Sequence, residues 1–306
     1  MSQSRPHSLF SFGTLLDEGV QNKLFGQAVP SSPASLAGHT TRPLRITDPA
    51  VIETSGQEVH LTLARRLGAA VEGAVLHLTD DDLAAADAYE VDDYVRRRVR
   101  LTSGETAWAY LDANPLRPAA RIVIVGDSIA YGRCDPAGGW AARLASAHIA
   151  ANEADHRVFN LAIPGSTLTD VREQTPALLA PRLPDTLIVA AGINDSARPQ
   201  PEDEWVASVT GNLSELAVLA LDHGARLVVA GPIWLDESNA PDYPGLSYTL
   251  ARAERLRDVT RSWCAENHID HLDLWPPLRD APGLLADGVH PNAEGHRAVY
   301  EYLASR

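Results

Sequence analysis

The sequence predicts two domains: a small β-rich domain, followed by an α/β domain whose parallel sheet has helices on both faces. The chain of 306 residues is long for one domain, since domains commonly span about 100–200 residues. Short strand patterns fill residues 8–112, whereas longer apolar runs separated by helical stretches begin at residue 121. Two prolines in the segment Ala113–Pro118 lie between these patterns and indicate a stiff connection.

The N-terminal domain, predicted to span residues 1–114, consists of short strand patterns broken by turns. Its segments are LFSFG, SSPASLAGH, LRITD, AVEGAVLHL, YVRRRVRL and TAWAYL. Apolar and charged residues alternate from Val95 to Leu101, which is typical of a half-exposed strand. Asp80–Ala88 is predicted to be a short helix, because acidic residues in a first turn interact favourably with the helix dipole.

The C-terminal domain, predicted to span residues 119–306, is expected to be a flavodoxin-like doubly wound domain with five βα units. Its apolar runs are IVIVG, VFNLAIPG, TLIVAAG, RLVVAGPI and IDHLDL. Continuous apolar runs indicate strands that are buried on both faces, as in a parallel sheet. Apolar residues recur at helical spacing over Val206–Ala220, and Gly224 marks the end of that helix. Ligands of such domains bind at the carboxyl ends of the strands.

Composition indicates a globular protein that binds neither nucleic acid nor membranes. Hydrophobic residues make up 45% of the chain and charged residues 22%. The net charge of −14 opposes binding to a phosphate backbone. Two cysteines, Cys134 and Cys264, are too few for a disulfide framework. Residues 1–16 lack the features of a secretory signal, and no apolar run reaches about 18 residues. We therefore expect a cytoplasmic protein with small soluble substrates.

Four short motifs fall at or beyond the ends of the predicted strands of the second domain. They are Gly126-Asp-Ser128, Asn160-Leu-Ala-Ile-Pro-Gly165, Gly192-Ile-Asn194-Asp195 and Asp287-Gly-Val-His290. A serine nucleophile needs a base, and a histidine base needs a carboxylate that holds its tautomer. Asp287 and His290, spaced i and i+3, can supply both to Ser128 from one loop. The backbone N–H groups of Ser128 and Gly165 and the side-chain amide of Asn194 are suitable oxyanion donors.

This ordered set of motifs resembles the SGNH (GDSL) hydrolase superfamily, and the resemblance covers the second domain. It implies a serine esterase with Ser128 as nucleophile, His290 as base and Asp287 as the orienting carboxylate. It also implies Gly165 and Asn194 as oxyanion donors, with no metal and no cofactor. Three aromatic residues of the domain are further candidates for shaping the pocket: Trp234, Tyr243 and Tyr248.

Other interpretations of these motifs remain open. Gly-Asp-Ser alone is usually a turn, and Asp127 and Asp195 are interpreted as residues that brace loops or shape the site. An ordinary α/β-hydrolase would need a G-x-S-x-G elbow, which the sequence lacks. A serine acyltransferase would use the same nucleophile, because an alcohol can replace water as the acyl acceptor. A metallophosphoesterase would use Asp127, Asn194, Asp287 and His290 as ligands, but such enzymes ordinarily need more histidines and carboxylates.

The first domain carries a second candidate site. Gly13-Thr14-Leu15 follows a predicted strand, where backbone amides can bind an anion, and Glu90 follows a helix rich in alanine. These residues resemble the γ-glutamylcyclotransferase-like (AIG2-like) family, which implies a small β-barrel. They would hold a γ-glutamyl compound, and Glu90 would accept a proton from its α-amine as 5-oxoproline forms. Phe12 replaces the tyrosine that is usual in this loop. Alternatively, the domain binds a ligand without catalysis.

Overall fold

The computed structural model describes residues 4–45, 52–53, 56 and 58–305. Contacts between residues divide the chain into two compact units, one up to residue 119 and one from residue 120. Each unit is described by itself below. Among the described residues, no helix combines the length and the apolar character that a membrane span requires.

The N-terminal unit is built around one five-stranded sheet. Its elements are β1 (His7–Ser11), α1 (Glu18–Phe25), β2 (Ser31–Arg45), β3 (Val59–Leu78), α2 (Asp80–Tyr89), β4 (Tyr94–Arg100) and β5 (Thr106–Asp112). The strand order is β2-β3-β1-β5-β4. β1 pairs with β5 in parallel, and the other pairs are antiparallel. The strands predicted at LFSFG, YVRRRVRL and TAWAYL are confirmed, whereas the closed barrel stays a prediction.

Two predictions for this unit differ from the structure in extent. SSPASLAGH is the first half of the long strand β2. β2 is an edge strand of the sheet, where a proline such as Pro33 is tolerated although it has no N–H to donate. The LRITD segment continues β2 to Arg45, and its residues 46–48 lie outside the described residues. Helix α1 was not predicted. Its signals are Asp17, which caps the N-terminus, and Gly26, which ends the helix with a φ of 71°.

The predicted helix at Asp80–Ala88 is confirmed as α2, which continues to Tyr89. It begins with a capping box in which Thr79 and Asp82 each accept a hydrogen bond from the other's backbone N–H. Glu90 is the residue at the C-terminal cap. The buried face of this helix includes Leu83, Ala86 and Tyr89.

The C-terminal unit has the five predicted strands, and all of its paired strands are parallel. The strands are β6 (Arg121–Gly126), β7 (Arg157–Asn160), β8 (Thr186–Ala190), β9 (Arg226–Ala230) and β10 (Asp270–Leu272). The helices are α3 (Ser128–Tyr131), α4 (Gly139–Ala151), α5 (Leu168–Leu179), α6 (Ile193–Ala197), α7 (Glu202–Asp222), α8 (Leu250–Glu266) and α9 (Ala293–Ala304). The order β10-β9-β8-β6-β7 confirms the predicted flavodoxin-like sheet.

Both faces of this sheet are covered, as the continuous apolar runs predict. Val123 and Val125 belong to a core cluster that also contains residues of α5, α7 and α8. Ile122 and Ile124 point to the opposite face, because side chains alternate along a strand, and they are equally buried. The strand order reverses at β6, which pairs with β7 on one side and β8 on the other. The segments that follow these three strands carry Ser128, Gly165 and Asn194.

Candidate functional site

Ser128 is the first residue of α3 and directly follows the end of β6. Gly126 makes this close turn possible, because a Cβ there would lie 2.2 Å from the carbonyl oxygen of Ala190 on β8. Asp127 caps α3 by accepting a hydrogen bond from the backbone N–H of Ile129 at 2.9 Å. The serine is therefore held at the carboxyl end of the sheet by the backbone around it.

Ser128, His290 and Asp287 form one continuous hydrogen-bonded relay. Ser128 Oγ lies 2.9 Å from Nε2 of His290. Nδ1 of the same ring lies 2.9 and 2.8 Å from the two carboxylate oxygens of Asp287. A carboxylate can only accept, so Nδ1 carries the ring proton and Nε2 of the neutral ring can accept the serine proton. The structure thus brings the three predicted catalytic residues together.

A compact loop aligns Asp287 with His290. The Asp287 carboxylate also accepts the backbone N–H groups of Val289 at 3.1 Å and His290 at 2.8 Å. Gly288 has a φ of 79°, and a Cβ there would lie 2.5 Å from the carbonyl oxygen of Asp236. The carbonyl of Gly288 in turn accepts the N–H of Asp236 at 2.8 Å. Only glycine fits at position 288, so Gly288 is what allows Asp287 and His290 to meet at a spacing of three residues.

The environment favours the neutral form of the histidine and the ionised form of the aspartate. Burial lowers the pKa of His290, and the Asp287 carboxylate, which favours the protonated ring, offsets this only in part. Burial by itself would raise the pKa of Asp287, but hydrogen bonds from the backbone and ring of His290 outweigh it and lower that pKa. A neutral base beside a charged carboxylate is the pairing that proton transfer from serine requires.

The side-chain amide of Asn194 is fixed between two partners. Its Nδ2 donates to the carbonyl oxygen of Ser166 at 3.0 Å, and its Oδ1 accepts from the hydroxyl of Tyr248 at 2.8 Å. The Ser166 carbonyl can only accept, so it determines which end of the amide is nitrogen. One N–H of Nδ2 remains for a ligand. Ser166 was missed in the sequence, although it follows Gly165 directly.

Two backbone N–H groups complete the set of predicted oxyanion donors. Gly165 has a φ of 86°, and a Cβ there would meet no atom within 4 Å. The backbone conformation at position 165, and not a lack of space for a side chain, is therefore the reason for glycine there. Within the described part of the chain, the N–H groups of Ser128 and Gly165 are bonded to no acceptor. Both can therefore donate to a bound molecule.

The two other acidic residues of these motifs hold loops in place, as interpreted from the sequence. Asp127 caps α3, and burial raises its pKa to about 7. Asp195 accepts the backbone N–H of Leu168 at 3.2 and 3.0 Å, and burial raises its pKa to about 6. It joins the start of α5 to α6. The segments that carry Gly165 and Asn194 are thereby tied together.

Aromatic and cationic groups lie near the relay. Arg133 donates to the hydroxyl of Tyr243 at 2.9 Å, and its positive charge contributes to the lowered pKa of His290. The rings of Tyr243 and Tyr248 meet edge to face, with centroids 6.4 Å apart. Both tyrosines were candidates for shaping the pocket, whereas Arg133 was missed. The one sequence signal for Arg133 near the site was that it lies five residues after Ser128.

The four ligands of the metallophosphoesterase alternative do not come together. Among the histidine, cysteine, aspartate and glutamate residues that the structure describes, one group has metal-ligand spacing, and it consists of Cys134, Asp287 and His290. Asp127 is not part of that group. The amide of Asn194 is already held by Ser166 and Tyr248.

In the N-terminal unit, the predicted loop and Glu90 line one pocket. The lining residues are Phe10, Ser11, Phe12, Gly13, Thr14, Leu15, Leu61, Glu90, Tyr94 and Tyr110. Thr14 begins a short 3-10 helix, and its hydroxyl lies 3.3 Å from that of Tyr89. The side chain of Leu15 packs in the core. The backbone carbonyl of Leu15 accepts a hydrogen bond from the side-chain amide of Gln21. The side-chain oxygen of Gln21 accepts one from the backbone N–H of Val29.

The surroundings of Glu90 oppose its negative charge. Burial, and then the nearby Asp87, raise the pKa of Glu90 to about 7. Asp87 accepts hydrogen bonds from the guanidinium of Arg96 and from the hydroxyl of Tyr110 at 2.8 Å, which hold it in place. A carboxylate with a pKa near neutrality can exchange protons with a ligand. Tyr94 and Tyr110 lie in the predicted strands YVRRRVRL and TAWAYL, and both line the pocket that contains Glu90.

Comparisons with known proteins give matches for both parts of the chain. A family model described as GDSL-like lipase/acylhydrolase matches residues 124–298, and one described as gamma-glutamyl cyclotransferase, AIG2-like, matches residues 9–127. No curated protein matches the chain.

Three solved structures illustrate the similarity of the chain to known proteins. One is described as TesA (26% identity, 60% of this chain and 96% of that chain, TM-score 0.49). A second is a lipase/acylhydrolase from Enterococcus faecalis (23%, 60% and 96%, TM-score 0.49). A third is Axe2, an acetylxylan esterase from Geobacillus stearothermophilus (20%, 61% and 93%, TM-score 0.49).

Proposed function

Because the chain belongs to the GDSL-like lipase/acylhydrolase family, we propose that its C-terminal unit hydrolyses a short acyl or acetyl ester of a small soluble molecule. The observation that carries this proposal is the relay from Ser128 Oγ through the ring of His290 to Asp287. It supplies a nucleophile, a neutral base and a group that stabilises the base once it is charged.

In the proposed reaction, Ser128 Oγ attacks the ester carbonyl carbon while Nε2 of His290 accepts the hydroxyl proton. The oxyanion that forms receives hydrogen bonds from the N–H groups of Ser128 and Gly165 and from the amide of Asn194. The carbon–oxygen bond to the alcohol then breaks, and the imidazolium returns its proton to the departing alcohol. Water, deprotonated by the same ring, releases the acid and regenerates the serine.

The direct test is hydrolysis of p-nitrophenyl esters of increasing acyl length by the wild type and by Ser128→Ala. We expect activity on short esters and its loss in the variant, with the same fold by circular dichroism. Ser196→Ala, which removes a buried hydroxyl that donates to the Ile193 carbonyl, is a matched control for serine removal in this unit. Turnover by pure Ser128→Ala at the wild-type rate would refute the proposal.

Acyl transfer to an alcohol is the second candidate for the same site. The acyl-enzyme on Ser128 is shared by both reactions, so the relay does not distinguish them. Product analysis with an added alcohol acceptor separates the two: an ester product that grows with acceptor concentration at the expense of free acid indicates a transferase.

We propose that the N-terminal unit binds a γ-glutamyl compound and cyclises it, with Glu90 as the base. Its raised pKa, about 7, supports this role. A base whose pKa is near neutrality is partly deprotonated at neutral pH and can accept a proton from a bound amine. In the reaction the α-amine nitrogen bonds to the γ-carbonyl carbon, the bond to the departing amine breaks, and Glu90 carries the proton between them.

Release of 5-oxoproline from a panel of γ-glutamyl amines tests this second activity. A binding module that lacks catalysis is the alternative, and Phe12, which lacks the usual hydroxyl, is the feature that favours it. Calorimetric binding without 5-oxoproline would indicate that alternative. Restoring the hydroxyl with Phe12→Tyr gives a matched comparison, since both rings are of similar size.

For the whole chain we propose a cytoplasmic enzyme with no nucleic-acid or membrane partner and no cofactor. The net charge of −14 supports the proposal that nucleic acid is not a partner, because a negative protein repels polyanions. Activity in excess chelator, measured beside metal content, separates this proposal from the metallophosphoesterase alternative.

A further inference from the structure

Cys134, which the proposed reaction does not use, lies beside the relay. One ligand atom from each of Cys134, Asp287 and His290 lies within 4.8 Å of the others. The cysteine is free and exposed, whereas His290 is buried. A thiol, an imidazole and a carboxylate therefore converge at one place that solvent can reach from the cysteine side.

The backbone fixes the position of this thiol. Cys134 has a φ of 69°, which is uncommon for a residue other than glycine. The N–H of Arg133 donates to the carbonyl of Ser128 at 2.9 Å, and the carbonyl of Arg133 accepts from Nε2 of His296 at 3.0 Å. On the other side, the N–H of Asp135 donates to the carbonyl of Gly132 at 3.1 Å. The thiol is thus held beside the relay.

We propose that Cys134, Asp287 and His290 form an inhibitory binding site for Zn²⁺ or another divalent cation that prefers sulfur. Thiolate, imidazole and carboxylate are the usual zinc ligands, and zinc sites with three protein ligands keep the fourth position for water. Mg²⁺ and Ca²⁺ prefer oxygen ligands and do not suit this set. Zinc bonds are about 2.0–2.3 Å long, so ligand atoms this close need to move little to share one ion.

Zinc at this place removes the base from the proposed reaction. On Nε2, the ion occupies the lone pair that accepts the Ser128 proton. On Nδ1, it displaces the ring proton to Nε2, so that Nε2 can no longer accept the Ser128 proton, and it replaces the hydrogen bonds that join His290 to Asp287. Binding exchanges the thiol proton for the metal, and the proton passes to solvent. The inhibition rests on the proposed esterase activity, whereas zinc binding does not.

The test uses the full chain, freed of metal by a chelator that is then removed. Equilibrium dialysis against ZnCl₂ counts bound zinc, and p-nitrophenyl acetate hydrolysis with increasing Zn²⁺ measures inhibition. We expect Cys134→Ser to hydrolyse the ester like the wild type without zinc, to bind one zinc ion fewer per chain, and to need at least about tenfold more zinc for half-inhibition. Cys264→Ala, which alters a buried cysteine in the core, should keep both properties of the wild type.

Three outcomes overturn the proposal in part or whole, and one supports it independently. Equal zinc binding by wild type and Cys134→Ser overturns the site, provided that Cys134→Ala agrees and both variants melt like the wild type. Unequal binding with equal inhibition overturns the inhibitory role. Inhibition by Mg²⁺ as strong as that by Zn²⁺ overturns the ligand assignment. If the wild type hydrolyses no ester but Cys134→Ser still loses one zinc ion, the esterase proposal fails and the metal site is supported.

Discussion

Asp287 and Glu90 are both carboxylates at candidate sites, yet their surroundings shift their pKa values in opposite directions. Asp287 accepts the backbone N–H groups of Val289 and His290 and the ring N–H of His290, so its pKa is lowered. Glu90 lies at the C-terminal cap of α2, where the helix dipole disfavours an anion, and burial and Asp87 raise its pKa to about 7.

The difference matches the two roles that we propose for these carboxylates. A carboxylate that orients a histidine has to stay ionised through the reaction, and hydrogen bonds from fixed donors achieve this. A carboxylate that collects a proton near neutral pH has to be poised between its two states, and desolvation achieves that. One chain therefore contains both arrangements, each built from the local backbone of its own unit.

Replacing one key residue of each site in turn should give the largest effects and show whether the two sites act independently. We expect Ser128→Ala to abolish ester hydrolysis and to leave 5-oxoproline release unchanged. Glu90→Gln, which keeps the shape and removes the base, should do the reverse. Both assays on each full-length variant check this. If either variant loses both activities while melting like the wild type, the two sites are not independent.

Asp287→Asn tests whether the lowered pKa of Asp287 matters for the relay. An amide in place of the carboxylate can leave the ring in the wrong tautomer, so we expect kcat for the ester to fall by roughly 10⁴. The control is Asp236→Asn, because Asp236 lies against Gly288 of the same loop and its side chain bonds Ser238 and Asn239 instead of the ring. A decrease below tenfold in Asp287→Asn would argue against an orienting role.

Asn194→Ala probes the donors of the proposed oxyanion hole. Loss of one such donor typically costs about 10²–10³ in kcat, with little change in KM, because the bond is strongest in the transition state. The matched control is Asn212→Ala on α7, where the amide bonds Ser208 and Thr169. An unchanged kcat, or a rise in KM alone, would remove Asn194 from the hole.

The pH dependence of the two activities should separate their bases. Each base works only when deprotonated, so both rates rise with pH through the pKa of the base. The pKa of His290 is lowered from 6.5, and that of Glu90 is raised to about 7. We therefore expect the midpoint of kcat/KM for ester hydrolysis to lie at lower pH than that for cyclisation. The reverse order, with both folds intact, would contradict the assigned bases.

Tyr248→Phe should have the smallest effect of the series. Its hydroxyl donates to Asn194 Oδ1 at 2.8 Å and so orients the amide, and a hydrogen bond contributes about 0.5–1.5 kcal/mol. We expect kcat for the ester to fall about two- to tenfold, and the double variant with Asn194→Ala to be no slower than Asn194→Ala. Tyr243→Phe, whose hydroxyl accepts from Arg133, is the control. Additive losses would refute the orienting role.

The sequence predicted the parts of this molecule whose chemistry lies in contiguous residues. Ser128 and Asn194 lie in short motifs just after strand ends, and Asp287 and His290 share one short motif before the last helix. Their placement at the carboxyl edge of a parallel sheet was therefore predictable. The Ser166–Asn194–Tyr248 bonds join segments far apart in the chain, and no local pattern encodes them. Helix α1 was missed because its signals are its caps, Asp17 and Gly26, rather than a clear apolar stripe.

Covalent trapping by a fluorophosphonate ester is the most direct test of Ser128 as an activated nucleophile, because the probe reacts with a serine only when a base has activated it. Peptide mapping by mass spectrometry of the labelled full-length protein identifies the modified residue. We expect one phosphonyl group, on Ser128, with no labelling in Ser128→Ala and much slower labelling in His290→Ala. A folded wild type that stays unlabelled, or carries the label on another residue, would contradict the relay as a catalytic device.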